Sequence, residues 1–186
     1  MRLVVLLPSN GTGTNLRAIQ EGIKQGTIHA EIAAVISDAD VTKETLLPTL
    51  QKHNPDYVCL TGWKQMIPEE VILNFKLQIL NIHPGLIPDS KDGVVKNPDG
   101  TSGLWNKGLF KNKAIQNFLD QKATYAGSSI HFLTHEFDFG PVLARCFEKI
   151  NPDDTVETLY ARLKVKENQL WQNVFSSLET ADAKTH

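Results

Sequence analysis

Asn81 and His83 stand two residues apart in Asn81-Ile82-His83-Pro84-Gly85-Leu86-Ile87-Pro88, just after the apolar run 77–80. On a strand that spacing puts both side chains on one face. Pro84 has no N–H to give to a ladder, so the strand ends directly after them. An amide and an imidazole are thereby presented together where a strand opens into a loop, the place where open α/β sheets bind ligands. An amide aimed at a developing oxyanion, beside a ring that moves a proton, suits acyl-type transfer. A lone His at a strand end serves equally well as a structural hydrogen bonder; the same-face Asn81 tips His83 toward chemistry. Asp138 lies in Glu136-Phe137-Asp138-Phe139-Gly140-Pro141, ordinary turn composition. Brought beside His83, its carboxylate would poise the ring, or a water, for proton relay.

Three further groups have alternative readings. Ser9-Asn10-Gly11-Thr12-Gly13-Thr14-Asn15 joins a strand to a helix and offers N–H groups to a phosphate. It also reads as a capped turn, or as the first two glycines of a dinucleotide fingerprint with Asp38 as the ribose acid. Leu16 at the third glycine position argues against the dinucleotide, and no P-loop Lys follows, so a phosphomonoester fits better. Glu167 falls within the apolar stripe Val156, Leu159, Leu163, Leu170 and Val174. A carboxylate aimed inward needs a partner, either ligand hydroxyls or a Lys. His131 and His135 have the spacing of helical zinc ligands, but they fall on and after a strand, with no third ligand. No metal is expected, and His131 reads as an inward polar residue near the site.

The elements that must position these groups alternate. Strands are expected at 2–7, 31–37, 56–61 and 78–82, with helices after Gly13, at 42–53 and at 68–75. Pro48 either kinks the second helix or marks its true start. This alternation predicts an α/β fold with a doubly wound, mostly parallel, Rossmann-like sheet. Residues 84–109 break the pattern: eight of the 26 are Gly or Pro, as in functional lids or disordered segments. A helix at 113–122 follows, then strands at 125–134 and 142–150 as an antiparallel C-terminal pair. A long C-terminal helix is expected from about 155 to 178, capped by Asp154 with Glu157 three residues on. Residues 180–186 are polar and expected to fray.

The 186 residues fit one domain, 1–186, able to bury a sizeable core. A net charge of −2 invites neither nucleic acid nor an anionic membrane. No apolar run approaches the ~20 residues that span a bilayer. Residues 1–7 lack a signal-peptide layout, and Cys59 and Cys146 make no disulfide framework, so a cytoplasmic location is expected. Cys59, mid-strand, reads as a small core residue.

Together these pieces resemble the phosphoribosylglycinamide formyltransferase family, within the formyl-folate superfamily. The resemblance covers most of the chain. Gly13-Thr14-Asn15-Leu16, Thr61-Gly62-Trp63, residues 81–88, Gly127-Ser128-Ser129-Ile130-His131-Phe132 and Asp138-Phe139-Gly140-Pro141 carry it. It implies transfer of formyl from 10-formyltetrahydrofolate, the co-substrate, to the amine of glycinamide ribonucleotide in purine synthesis. It implies Asn81, His83 and Asp138 as the catalytic trio and Gly13, Thr14 and Asn15 as the phosphate turn. Glu167 would take ribose hydroxyls, and Pro84 and His131 would border the substrate. Trp63, Gln65, Met66, Ile67, His135, Glu136 and Phe137 would wall the folate pocket. It also implies a cis peptide at Ile87-Pro88. The chain departs from the family in three places. One helix stands where the family carries helix, strand and helix after the second strand. An acidic, glycine-rich 89–108 segment follows Pro88, and Gln65 stands where Arg is often found.

Overall fold

The computed structural model describes the backbone of residues 1–182 and the side chains of residues 1–180. Along the chain come β1 (Arg2–Leu7), α1 (Thr14–Lys24), β2 (Glu31–Ser37), α2 (Lys43–His53), β3 (Tyr57–Leu60) and α3 (Glu69–Asn74). They are followed by β4 (Ile79–His83), α4 (Lys111–Asp120), β5 (Tyr125–Phe132), β6 (Val142–Lys149) and α5 (Val156–Asp182). The strands form one sheet in the order β2-β1-β3-β4-β5-β6. The first four run parallel, while β5 is antiparallel to both β4 and β6. The expected fold class is observed, and β2 stands at the sheet edge, joined to β3 by α2 alone.

Strand alternation divides the core. Val4, Leu6, Val58, Leu60 and Ile79 bury one face against Leu46 and Leu50 of α2 and Val71 of α3. The residues between them, Leu3, Val5, Cys59 and Leu80, bury the other face against Ile19 of α1 and Leu170, Trp171, Val174 and Phe175 of α5. Burial on both faces is why these strands read as unbroken apolar runs. Cys59 is fully buried, and desolvation pushes its thiol well above the ordinary range. A third cluster joins Ile115 and Phe118 of α4 to Ala126 of β5 and to Leu159 and Leu163 of α5. It seats the stretch of α5 that carries Glu167. Among the described residues, no helix is long and apolar enough to cross a membrane.

Four local expectations change. Pro48 lies inside α2, whose start is set six residues earlier, where the Thr42 N–H donates to Thr45 Oγ1 at 2.8 Å. The reciprocal bonds at the start of α5 join Thr155 and Thr158, at 2.9 and 3.3 Å. Asp154 instead accepts Nη1 and Nη2 of Arg162, at 2.7 and 2.6 Å, together with the Asn151 N–H at 2.7 Å and the Thr158 hydroxyl at 2.9 Å. The helix continues through Asp182, so residues 180–182 are helical rather than frayed, and residues 183–186 lie outside the described residues. Finally, the Ile87-Pro88 peptide is trans. Arg145 takes the Ile87 carbonyl at 2.8 and 2.6 Å and Asp89 Oδ1 at 2.6 Å, so the chain is led outward into the long loop without reversing at the proline.

That loop is ordered by its own bonds. Leu86 N–H donates to the Leu104 carbonyl at 2.8 Å, and Gly103 N–H to the Val95 carbonyl at 2.8 Å. Asn106 is buried and donates to the carbonyls of Pro84 and Ala114, at 3.0 and 3.1 Å. The segment is therefore packed back onto the end of β4.

Candidate active site

The antiparallel register of β4 on β5 sets Asn81 opposite His131 and His83 opposite Ser129. Directly paired side chains on one sheet face touch. Asn81 Nδ2 accordingly lies 3.1 Å from His131 Nε2, and His131 Nδ1 lies 3.0 Å from the Phe132 carbonyl. A carbonyl can only accept, so His131 carries its proton on Nδ1 and offers the Nε2 lone pair to the Asn81 amide. Burial, and then the neighbouring His83, pull the His131 pKa down to about 4. A ring held neutral in this way fixes which end of the Asn81 amide faces it. Ser129 anchors the strand end: its hydroxyl donates to the Gly85 carbonyl at 2.7 Å and accepts the Ile87 N–H at 3.0 Å.

His131 makes stability depend on pH. The unfolded imidazole titrates near 6.5 and the folded one near 4, so between these values the unfolded chain binds an extra proton. Stability therefore falls as pH falls through this window, by about 3 kcal/mol in all. Urea midpoints for the wild type should drop between pH 6.5 and 4. His131→Gln should be less stable at neutral pH but lose that slope. An unchanged slope in the variant would refute the assignment.

His83 is buried, with Nδ1 3.5 Å from Asp138 Oδ1. Asp138 is 7% exposed and sits in the left-handed region at φ 48°. Burial pushes its carboxyl up, but the neighbouring His83 and the Gly108 N–H outweigh this and hold it below the usual value. The turn after β5 thus does bring the Asp138 carboxylate to the end of β4.

The cleft beside these residues is lined by Asn81, His83, Pro84 and Asp138, and by all seven residues expected to wall a folate pocket, Trp63, Gln65, Met66, Ile67, His135, Glu136 and Phe137. Leu60, Ile72, Leu133 and Phe110 add apolar surface, and Phe110 meets Phe137 edge-on at 6.3 Å. His131 stands behind Asn81 and does not line the cleft, and His135 pairs with Glu69 at 3.7 Å on the surface. The two His side chains of the HxxxH pattern thus serve different environments.

Asn15 and Glu167 line the same cleft. Gly13, at φ 65°, turns the chain into α1 with no side-chain cap, so the first N–H groups of Thr14 and Asn15 are not taken by a capping side chain. Asn15 Oδ1 is buried without a protein partner. Asp38 is spent on the turn itself, accepting the Ser9 N–H at 2.7 Å. Glu167 is 3% exposed; Ser128 donates to its Oε1 at 2.7 Å and Lys164 to its Oε2. Both readings of that stripe-breaking acid therefore meet in one residue: it has a Lys partner and it faces the cleft.

Sequence reasoning missed the cations here. Lys64, Lys111 and Lys164 share the cleft with Asn15. Partial burial and then the charges of Lys64 and Lys164 lower the Lys111 pKa. Lys164 was discoverable from its helical spacing to Glu167. Lys111 gave no such signal, because it opens α4 with φ 45° after an irregular loop.

A family model described as formyl transferase matches residues 39–175. The chain is 26% identical over 197 residues to a chloroplastic phosphoribosylglycinamide formyltransferase of Arabidopsis thaliana, aligning 91% of this chain with 63% of that protein. It thus spans about three fifths of the length of the plant relatives. The Escherichia coli phosphoribosylglycinamide formyltransferase is 25% identical over 214 residues, covering 100% of this chain and 91% of its own. The crystal structure of glycinamide ribonucleotide transformylase 1 from Symbiobacterium toebii superposes with a TM-score of 0.76 at 26% identity, covering 95% of this chain and 86% of that one.

Proposed function

Since the chain belongs to the formyl transferase family, we propose that it transfers a formyl group from 10-formyltetrahydrofolate to the amine of glycinamide ribonucleotide. The observation that carries this reading is the meeting of Asn81, His83 and Asp138 in one cleft whose lining combines two chemistries. One part of the lining is apolar and aromatic, with the Trp63 indole N–H buried and unpartnered, which suits a flat heterocycle with polar edges. The other offers the free start of α1, three ammonium groups and a carboxylate, which suits a ribose phosphate. Lone pairs remain on both Glu167 oxygens for ribose hydroxyls.

The folate supplies the activated formyl carbon. Asn81 donates an amide N–H to the oxygen that gains charge as the amine attacks, and His83 donates beside it. Asp138, facing His83, holds the ring and accepts the proton that the attacking amine loses, through water, for return to the departing nitrogen. Gly13, Thr14 and Asn15 hold the phosphate from their N–H groups and the Asn15 amide. His131 acts behind Asn81, and Pro84 shapes the wall next to His83.

Acceptor competition tests the reading. Formyl should pass to glycinamide ribonucleotide far faster than to water or to an amino sugar. Faster hydrolysis of the folate than transfer would make this a deformylase. Lys111→Ala should raise KM for the nucleotide about tenfold, about 1.4 kcal/mol, with kcat within twofold of wild type. An unchanged KM would remove Lys111 from the phosphate site.

A further inference from the structure

We propose that Trp105, carried by the long loop between β4 and α4, is a positioning residue that locks His83 and Asp138 together and leaves Nδ1 as the reactive nitrogen of the ring. Three contacts of 2.8 Å make the lock. His83 Nε2 lies at that distance from the Trp105 carbonyl, and the Trp105 indole N–H donates to the Asp138 carbonyl. Gly108, three residues on, donates its N–H to Asp138 Oδ2. The indole also packs on Phe139 at 5.6 Å between ring centroids. One short stretch of loop therefore holds the imidazole of β4 and both the main chain and the carboxylate of the turn after β5.

The approach is possible because residue 85 is glycine: a Cβ there would lie 1.8 Å from the Trp105 carbonyl oxygen and 2.8 Å from His83 Nε2. Any other residue would push the Trp105 carbonyl off the ring. Asn106 supplies the opposing anchor, bonded to the Pro84 and Ala114 carbonyls and accepting from Asn117 Nδ2 at 2.8 Å.

The chemical consequence follows from donor and acceptor counting. A carbonyl oxygen has no proton to give, so His83 keeps a proton on Nε2 and donates it to Trp105. The nitrogen left for proton exchange is Nδ1, which faces Asp138 Oδ1, while Oδ2 is taken by Gly108. Their separation of 3.5 Å exceeds a normal N–H···O bond, leaving the pair open to engage a third oxygen. Donation to the substrate oxygen, and recovery of the proton, then run through Nδ1 and Oδ1.

This inference rests on the proposed reaction for its kinetics but not for its hydrogen bonds, so it is tested both ways. Trp105→Phe keeps the ring and the carbonyl and removes the indole N–H. It should lower kcat about tenfold, with KM for both substrates within twofold of wild type. A kcat within twofold of wild type, or a loss confined to KM, would overturn the assignment. In the wild-type protein, ¹⁵N spectra of labelled histidine should show neutral His83 as the Nε2–H tautomer. An Nδ1–H tautomer would overturn it even if the protein transfers formyl, and the spectra decide the point even if the protein transfers none.

Discussion

His83→Ala is expected to lower kcat by about 10²–10⁴, the usual loss when an acid or base in place is deleted. The protein should stay folded, because the ring makes no contribution to the three apolar clusters. Its deletion does leave the Trp105 carbonyl and the Asp138 carboxylate without their imidazole partner, so some stability is lost. His83→Gln separates the two effects, since an amide can still donate to one of these acceptors but cannot relay a proton. Turnover in the glutamine variant should remain as low as in the alanine one. Near-native kcat in either variant, with chemistry rate-limiting, would remove His83 from the mechanism.

Asn81→Ala should cost about 10²–10³ in kcat, the range for one lost oxyanion donor. The loss should be in kcat more than in KM, because the amide is asked to bind charge that exists only during the reaction. Asn81→Asp is the sharper comparison. It keeps the shape but replaces the donor by an acceptor, set against the Nε2 lone pair of His131 at the 3.1 Å contact. Two acceptors then face each other, and a carboxylate lies where negative charge must develop, so the aspartate variant should be at least as impaired as the alanine one. An active Asn81→Asp protein would place the oxyanion elsewhere.

Much of this was legible in the chain. The apolar strand runs, Pro84 as a strand stop and the period of two between Asn81 and His83 were local signals, and local physics decided them. Glu167 was visible because it interrupted a helical stripe that needed to be buried. The partners of these residues were less visible. That Asn81 faces His131 depends on the register between strands 50 positions apart. The placement of Trp105 and Lys111 depends on the path of a loop with no period, held by Asn106 and admitted by Gly85. Asp154 misled for a similar reason: its cap chemistry was correct, but Arg162, eight residues on, claimed its carboxylate. The path of the chain beyond Ile87 was hidden for the same reason, since Arg145 of β6 holds the Ile87 carbonyl and Asp89.

Cross-strand pairing of positions 81 and 131 has a consequence for which changes this protein tolerates. Inserting or deleting one residue early in β5 would turn every later side chain of that strand over, carrying the imidazole behind the amide to the opposite side of the sheet. The same flip would take the Ser128 hydroxyl from Glu167 and the Ser129 hydroxyl from the Gly85 carbonyl, and it would turn over a strand that is buried along most of its length. The amide could not recover its partner. Substitutions on the exposed surface should therefore be tolerated far better than any change in the spacing that fixes β5 on β4.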